Sequence, residues 1–201
     1  MDSTPERLVR RQARGLARIE ALLSAAARVF ARDGYERAST NAIAAEAGVS
    51  PGTFYQFFRD KQSIAIALGQ RYAAALDEAH RAAFVGIDLQ VADLRTLLDR
   101  VLDPMVAFKE KHAAYVTLFA RPDTPGLLGG PVADAESAFE RRVAEVLRSR
   151  DPALDADDAA TAARTVFAVI RGGIAGLRVG SSELAELKTV IVGYLHERGI
   201  R

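Results

Sequence analysis

The chain has 201 residues, of which 49% are hydrophobic and 26% are charged, and its formal net charge is +1. This composition excludes a disordered chain, and the absence of cysteine excludes disulfides and thiolate chemistry. No apolar run approaches the roughly 18 residues that a membrane span needs, so no membrane partner is expected. The N-terminus lacks the apolar core of a secretory signal, which favours a cytoplasmic protein.

The small net charge hides a difference between the two parts of the chain. Residues 1–61 hold ten Lys and Arg against seven Asp and Glu, a balance of +3. The remaining residues hold seventeen against nineteen, a balance of −2. A basic first part suggests a polyanionic partner for that part alone, although the bias is mild.

Apolar residues recur at spacings of three and four along almost the whole chain, which predicts an all-α protein. A first helix is predicted over residues 13–33 and should end at Gly34, because glycine readily adopts the left-handed conformation that follows many helices. The next three predicted helices cover residues 40–47, 51–58 and 61–83.

The second part of the chain is also predicted to be helical. A helix over residues 89–120 contains Pro104, which should kink or split it. Three prolines and three glycines predict a loop over residues 121–131. The last predicted helices cover residues 132–150, 155–179 and 182–198.

Residues 39–61 describe two short helices joined by a tight turn that contains glycine. Ser39 or Thr40 can cap the first helix, and Ser50 can cap the second. Phe54 and Phe58 are four residues apart and should point inward. The opposite face is then small and polar, a composition that suits the major groove of DNA, and consists of Pro51, Gly52, Thr53, Tyr55 and Gln56.

The pattern Thr40-x-x-Ile43-Ala44-x-x-Ala47-Gly48-Val49-Ser50-x-Gly52-x-Phe54-Tyr55-x-x-Phe58-x-x-Lys61-x-x-Ile64 resembles the DNA-binding signature of the TetR-like (AcrR-like) repressors. The match is gapless and extends over about residues 19–68. It implies an N-terminal three-helix DNA-binding domain with a helix-turn-helix, residues 1–60. A C-terminal helical ligand-binding and dimerisation domain, residues 61–201, would follow. The implied partners are a double-stranded DNA operator, a small-molecule effector and a second copy of the chain, with no cofactor.

The resemblance also implies which residues contact DNA. Thr40, Tyr55 and Lys61 match positions that usually contact phosphate, and the dipole at the start of the fourth helix would help Lys61. Asn41 and Gln56 match positions from which base edges are often reached, as does Thr53. The full set of expected DNA contacts is Thr40, Asn41, Ser50, Pro51, Gly52, Thr53, Tyr55, Gln56 and Lys61.

Two features of this part leave alternatives open. The family often has histidine at the position of Phe57, and a phenylalanine cannot hydrogen-bond a phosphate, so the role of that histidine is not transferred. The N-terminal arginines, Arg7, Arg10, Arg11, Arg14 and Arg18, either enter a minor groove as flexible arms do or form a solvated tail, and the tail is preferred.

Aromatic residues in the second part suggest an effector pocket, since relatives build their inducer cavity from this region. His112 could be a polar handle in that pocket or a satisfied histidine in a helix core. Arg171 could bind an anionic ligand or pair with an acidic residue. The expected pocket residues are Met105, Phe108, His112, Tyr115, Phe119, Phe167 and Arg171. The aromatic and aliphatic residues between Phe84 and Phe119 favour an apolar or aromatic ligand.

The last two helices carry broad apolar faces, and relatives dimerise through a four-helix bundle of these helices. The alternative is that both faces are used within one chain. The expected interface residues are Val166, Ile170, Gly173, Ile174, Leu177, Leu187, Ile191, Tyr194 and Leu195.

The function that these patterns favour is that of a repressor which a small molecule releases from a palindromic operator. A DNA-binding regulator without a small-molecule ligand is the alternative, and its second domain would be packed solid. An all-α enzyme is a remote third possibility, because no catalytic constellation is evident. The three histidines, His80, His112 and His196, lack metal-ligand spacing, and no metal site is expected.

Overall fold

The computed structural model describes residues 5–89, 91–119 and 126–200, and every regular element within these ranges is helical. The helices are α1 Pro5–Arg37, α2 Thr40–Glu46, α3 Pro51–Tyr55, α4 Lys61–Ala83, α5 Leu94–Lys111, α6 Ala113–Leu118, α7 Gly126–Arg150, α8 Ala156–Gly173 and α9 Ser182–Glu197, with a 3₁₀ turn at Ile174–Gly176. The prediction of an all-α protein is confirmed. No helix of the described ranges is long and apolar enough to cross a membrane.

The chain divides into two compact units. The first contains Met1–Gln70 and Ala113–Leu128, and the second contains Arg71–His112 and Gly129–Arg201. Helix α4 therefore contributes its first ten residues, Lys61–Gln70, to the first unit and the remainder to the second. The boundary predicted after residue 60 stays a prediction.

In the first unit, α1 packs against α2 and α6, and α2 packs against α3. The side chains expected to face inward do so: Phe54 and Ile43 are fully buried and Phe58 is 8% exposed. The core of this unit includes Leu22, Leu23, Val29, Phe30, Ile43, Ala44, Phe54, Phe58, Ile64 and Leu68.

Helix α1 is longer than predicted at both ends. It begins at Pro5 instead of residue 13, and the helical assignment continues to Arg37 across a kink at Gly34. Gly34 has the positive φ expected of a glycine at a helix end, 74°, but its ψ of 169° is extended. The kink therefore lies at the predicted residue, although the helix was expected to stop there.

In the second unit, α9 packs against both α5 and α8. Helix α5 is continuous through Pro104, so the split predicted as one alternative at this residue is wrong, and the helix ends at Lys111 with His112 as its C-cap. Proline deprives the carbonyl of Arg100, four residues earlier, of its helical hydrogen bond. Pro104 lies on the exposed side of α5, where water can satisfy that carbonyl.

Two other predicted boundaries differ from the structure. Helix α7 already begins at Gly126, so the loop predicted to extend to residue 131 is wrong for its last six residues, and the rest of it lies outside the described residues. Helix α8 ends at Gly173 instead of continuing to residue 179. The buried ammonium of Lys109 donates to the carbonyls of Ile174 and Leu177, beyond the helix end. These bonds stabilise the irregular path of the backbone there.

Candidate functional site

The helix-turn-helix in the first unit is held by side-chain caps at the start of each helix. The Ser39 hydroxyl accepts a hydrogen bond from the amide of Ala42 at 3.1 Å, and the Ser50 hydroxyl accepts one from the amide of Thr53 at 3.1 Å. Pro51 is in the first turn of α3, where its missing N–H costs nothing. The turn between the helices contains Gly48, whose φ is 66°. These local bonds orient α2 and α3 before any ligand is present.

The structure brings two predicted phosphate contacts together. The hydroxyl oxygens of Thr40 and Tyr55 lie 3.0 Å apart, within hydrogen-bond distance, although 15 residues separate them in the sequence. Thr40 begins α2 and Tyr55 ends α3, so this bond joins the two helices at the surface. The Tyr55 side chain is 54% exposed, which is unusual for so large a ring. The two hydroxyls form a polar pair that a phosphate oxygen could reach.

The residues predicted to read bases are also at the surface. Asn41, Gly52 and Gln56 are exposed, and Thr53 is half-buried with its hydroxyl 3.0 Å from that of Ser50. Asn41 and Gln56 each carry an amide that can form two parallel hydrogen bonds with adenine. Thr53 has a partner in the free protein and therefore has less hydrogen-bonding capacity to spare than either amide.

Lys61 has a structural role that the sequence did not reveal. Its ammonium donates to the carbonyl oxygens of Tyr35 at 2.7 Å and of Glu36 at 3.0 Å, and lies 4.4 Å from the centre of the Tyr35 ring. The ammonium thus occupies the carboxyl-terminal end of α1, where a positive charge is favoured by the helix dipole. Its predicted phosphate contact stays a prediction, and the ammonium has three protons with which to serve both partners.

The second unit contains a cavity with about 630 Å³ of empty space, including the part that is open to solvent. Fourteen of its sixteen lining residues are apolar or aromatic, and Glu140 and Arg150 are the two charged ones. The Arg150 guanidinium donates to the backbone carbonyls of Leu89 and Ala92. The cavity wall is therefore suited to an apolar ligand with few polar groups.

The predicted pocket residues do not form one group. Phe167 lines the cavity, and Met105 packs against the core next to it. Tyr115 and Phe119 belong to the first unit, where their ring centres are 6.3 Å apart. Arg171 is exposed and lies 3.4 Å from the Glu136 carboxylate, in agreement with the acidic pairing considered above.

Phe108 and His112 belong instead to an aromatic cluster with Tyr72. The His112 ring centre lies 4.4 Å from that of Phe108 and 5.2 Å from that of Tyr72. Burial raises the pKa of Tyr72 to about 12. Burial also lowers the pKa of His112, and the positive charges of Lys111 and Arg71 lower it further. The half-buried position of His112 among these rings fits the helix-core alternative, and its backbone N–H caps the end of α5.

Sequence reasoning missed most of the cavity wall. Phe84, Phe139, Val143 and Leu147 line it and were not selected. The last three lie on α7 at spacings of four, a helical apolar stripe that could have identified this face. His80 packs behind the wall, with its ring centre 4.0 Å from that of Phe139, and its Nε2 atom has no hydrogen-bond partner within the described ranges.

Most of the predicted dimer-interface residues are used within the chain. Val166, Ile170, Leu177, Ile191 and Leu195 are each at most 7% exposed and belong to the core of the second unit. Leu187, Tyr194 and Ile174 are half-buried against the same core, and Gly173 is exposed. The face of α8 and α9 that remains open contains Ala168, Gly172, Val190 and Gly193, of which Val190 is 58% exposed.

The described residues contain no group of three or more His, Cys, Asp or Glu side chains that could hold a metal ion.

Comparisons with known proteins bear on both units. Residues 22–68 match the family model for bacterial regulatory proteins of the tetR family, and residues 93–195 match the model for tetracyclin repressor-like C-terminal domains. The chain is 30% identical over 143 residues to the HTH-type transcriptional regulator TcmR of Streptomyces glaucescens. This match covers 68% of the chain and 61% of TcmR, so the chain spans less than two thirds of the length of that relative.

Solved structures show the same fold. A TetR-like transcriptional regulator from Rhodococcus sp. RHA1 has a TM-score of 0.72 at 22% identity, over 90% of this chain and 96% of that one. The regulator FadR from Bacillus subtilis, in complex with stearoyl-CoA, has a TM-score of 0.66 at 20% identity, over 88% of this chain and 96% of that one.

Proposed function

This chain belongs to the TetR family of bacterial transcriptional regulators, and we propose that it is a repressor which a small molecule releases from its operator. The operator would be palindromic and bound by a dimer, because two identical DNA-reading units related by a two-fold axis fit two identical half-sites. The observation that carries the ligand response is the apolar cavity of the second unit.

The proposed DNA contacts fall into two groups, those that bind phosphate and those that bind bases. Thr40 and Tyr55 hold phosphate through their paired hydroxyls, which fixes the position of the helix-turn-helix on the duplex. Lys61 adds a charge to the same contact. Asn41 and Gln56 read base edges with their exposed amides, and their loss should affect a specific duplex more than a random one.

The effector of this proposal is an apolar or aromatic small molecule. The cavity wall supplies fourteen apolar side chains, whereas its two charged residues allow only a limited polar contact. A second unit packed solid would favour the alternative, a regulator without a small-molecule ligand. The presence of a cavity with an apolar lining supports the ligand-responsive form instead.

Coupling between effector and operator would pass through α4, whose residues belong to both units. Thermodynamic linkage requires that the effector and the operator weaken each other's binding by the same factor. A hundredfold release corresponds to about 2.7 kcal/mol of coupling free energy. A hundredfold release therefore requires only that the effector favour one position of α4 over another by this free energy.

The test measures operator binding with and without candidate effectors, for the wild type and for a variant with a smaller cavity. Operator DNA is first selected from the region that flanks the gene, and its affinity is measured with and without a panel of apolar and aromatic compounds. An Ala163→Leu variant places extra methyl groups in the cavity wall. We expect it to bind the operator like the wild type and to lose the response to the compound. A compound that binds the cavity without changing operator affinity would overturn ligand-responsive repression.

A further inference from the structure

The amino-terminal part of α1 projects from the first unit as a helix with no core of its own. From residue 9 onward, the first side chain that the structure describes as buried is Leu22, and the described side chains from Val9 to Ala21 are exposed or half-buried. At 1.5 Å per residue, Arg10 lies roughly 18 Å along the helix from Leu22. This projecting segment, residues 9–21, is called the arm below.

The arm is basic on one side. Residues 9–21 contain four arginines and one acidic residue, Glu20. Arg10, Arg14 and Arg18 are each four residues apart and therefore lie along one face of the helix. All three are exposed, and none forms a hydrogen bond or ion pair within the part of the chain that the structure describes.

Two arginines in the packed part of α1 form ion pairs within the chain. Arg28 lies 2.6 Å from the Glu46 carboxylate, and Arg32 lies 2.9 Å from that of Asp33. Arg28 and Arg32 in the packed part of the helix are thus neutralised by the chain itself, whereas Arg10, Arg14 and Arg18 have no acidic partner among the described residues. A row of unpaired guanidinium groups is complementary to a row of phosphates.

We propose that the arm is a second DNA contact, in which Arg10, Arg14 and Arg18 bind backbone phosphates next to the half-site read by α2 and α3. The proposal rests on the proposed function, since it assigns a further partner surface to the same DNA-binding unit. The arm is continuous with the helix that carries α2 and α6, so both contacts belong to one unit. Its contribution is independent of sequence, because phosphates carry no base information.

A lipid surface is the other polyanion that a basic helix can bind. On the face opposite the arginines, the exposed large apolar side chains among the described residues are Val9 and Leu16, at 63% and 64% exposure. Interfacial helices need a broad apolar face for insertion, and two residues are a small one. The charge pattern and the DNA-binding unit to which the arm belongs therefore favour nucleic acid.

The test compares two triple variants with the same change in charge. The arm variant is Arg10→Gln, Arg14→Gln, Arg18→Gln, and its control is Arg141→Gln, Arg148→Gln, Arg164→Gln, three exposed arginines of the second unit. Affinity is measured from 50 to 300 mM salt for a duplex that contains the operator and for a scrambled duplex of equal length.

The expected result is a loss of roughly tenfold or more for the arm variant on both duplexes, with a salt slope shallower by about 5.4 for a bound dimer, which is 0.9 for each of three phosphates at each of its two arms. The control variant should bind like the wild type. Equal affinities and slopes for the arm and control variants would overturn the proposal while leaving the proposed function intact. If the wild type binds neither duplex, the proposed function itself fails.

Two further measurements test the form of the contact. Gly15 lies within the arm, and a Cβ there would meet open space. Gly15→Ala keeps the helix and the charge and should bind DNA at least as tightly as the wild type, whereas Gly15→Pro breaks the helix and should bind more weakly. Wild-type affinity in Gly15→Pro would overturn a helical arm. Binding to vesicles with 30% phosphatidylserine is measured for the wild type and the arm variant. If only the wild type binds the vesicles and both proteins bind DNA equally, the proposal is overturned in favour of a membrane contact.

Discussion

The ammonium nitrogen of Lys61 lies 2.7 Å from the carbonyl oxygen of Tyr35, so the first residue of α4 also caps the end of α1. Family resemblance assigns Lys61 to phosphate, but the free protein already uses its charge within the fold. A variant of this residue is therefore expected to lose stability as well as DNA affinity, and the two losses have to be measured separately.

We predict that Lys61→Ala destabilises the protein by about 1–2 kcal/mol, because hydrogen bonds to a charged donor are lost and two helix-end carbonyls lose their partner. Operator affinity should fall in the same variant. Tyr55→Phe is the matched control, since its exposed hydroxyl should contribute to DNA binding and little to stability. Urea unfolding and DNA titration of both variants measure the two effects. Unchanged stability in Lys61→Ala would contradict the structural role.

The sequence was most informative where local chemistry decides the structure. Ser39 caps α2, Ser50 caps α3, and Phe54 is fully buried, all as the spacing predicts. Caps and i to i+4 contacts depend on neighbours in the chain, so a single sequence contains the information needed. The same holds for Gly34 and its positive φ.

Contacts between residues far apart in the chain could not be predicted from local sequence. The apolar faces of α8 and α9 were assigned to a dimer, yet Ile170 and Ile191 are buried against the rest of their own chain. Periodicity identifies an apolar face but not the surface that covers it. The end of α8 depends on Lys109, which is 65 residues from Ile174 in sequence, and no local signal indicates that contact.

His80 should make the stability of the protein depend on pH. Burial is the largest cause that lowers the pKa of its imidazole to about 4; the nearby charge of Arg142 acts in the same direction, and Asp77 opposes the shift. Between about pH 6.5 and 4 the unfolded chain therefore binds a proton that the folded chain does not bind. Stability is retained above pH 6.5 and falls as the pH is lowered to 4, by up to about 3 kcal/mol.

The measurement is urea unfolding of the wild type and of His80→Phe at pH 7, 6 and 5. Phenylalanine keeps the stacking on Phe139 and removes an Nε2 atom that has no partner within the described ranges. The variant should lose less stability than the wild type as the pH falls, because it no longer contains the imidazole of His80. His112 and His196 remain in both proteins, so their contributions cancel in the comparison. Parallel pH profiles would contradict a neutral buried His80.

The open face of α8 and α9 predicts how a dimer can be broken without unfolding the chain. Val190 is 58% exposed, and neither Gly172 nor Gly193 has an atom within 4 Å of a Cβ built on it. Val190→Arg would place a charge in the proposed interface and should convert a dimer of about 43 kDa, twice 21.7 kDa, into a monomer. Light scattering measures the mass. Val179→Arg, at another exposed valine, is the control and should leave the mass unchanged.

Lys188 joins α9 to α5 through a buried charge. Its ammonium is 2.7 Å from an Asp99 oxygen and 2.5 Å from an Asp103 oxygen, and the residue is 4% exposed. The two carboxylates are 46% and 39% exposed, so they can turn to water if the lysine is lost. The lysine has no such freedom if the carboxylates are lost.

This difference predicts an asymmetric response to substitution. Lys188→Met should change the free energy of unfolding by less than about 1 kcal/mol, because an apolar side chain of similar length replaces a charge that was costly to bury. The double variant Asp99→Asn, Asp103→Asn should lose about 3 kcal/mol, because it leaves the buried ammonium without an opposite charge. Urea unfolding at pH 7 measures both values. Equal losses would mean that the ion pairs contribute more attraction than the burial of the lysine costs, and the solvent-relaxation argument would then be wrong.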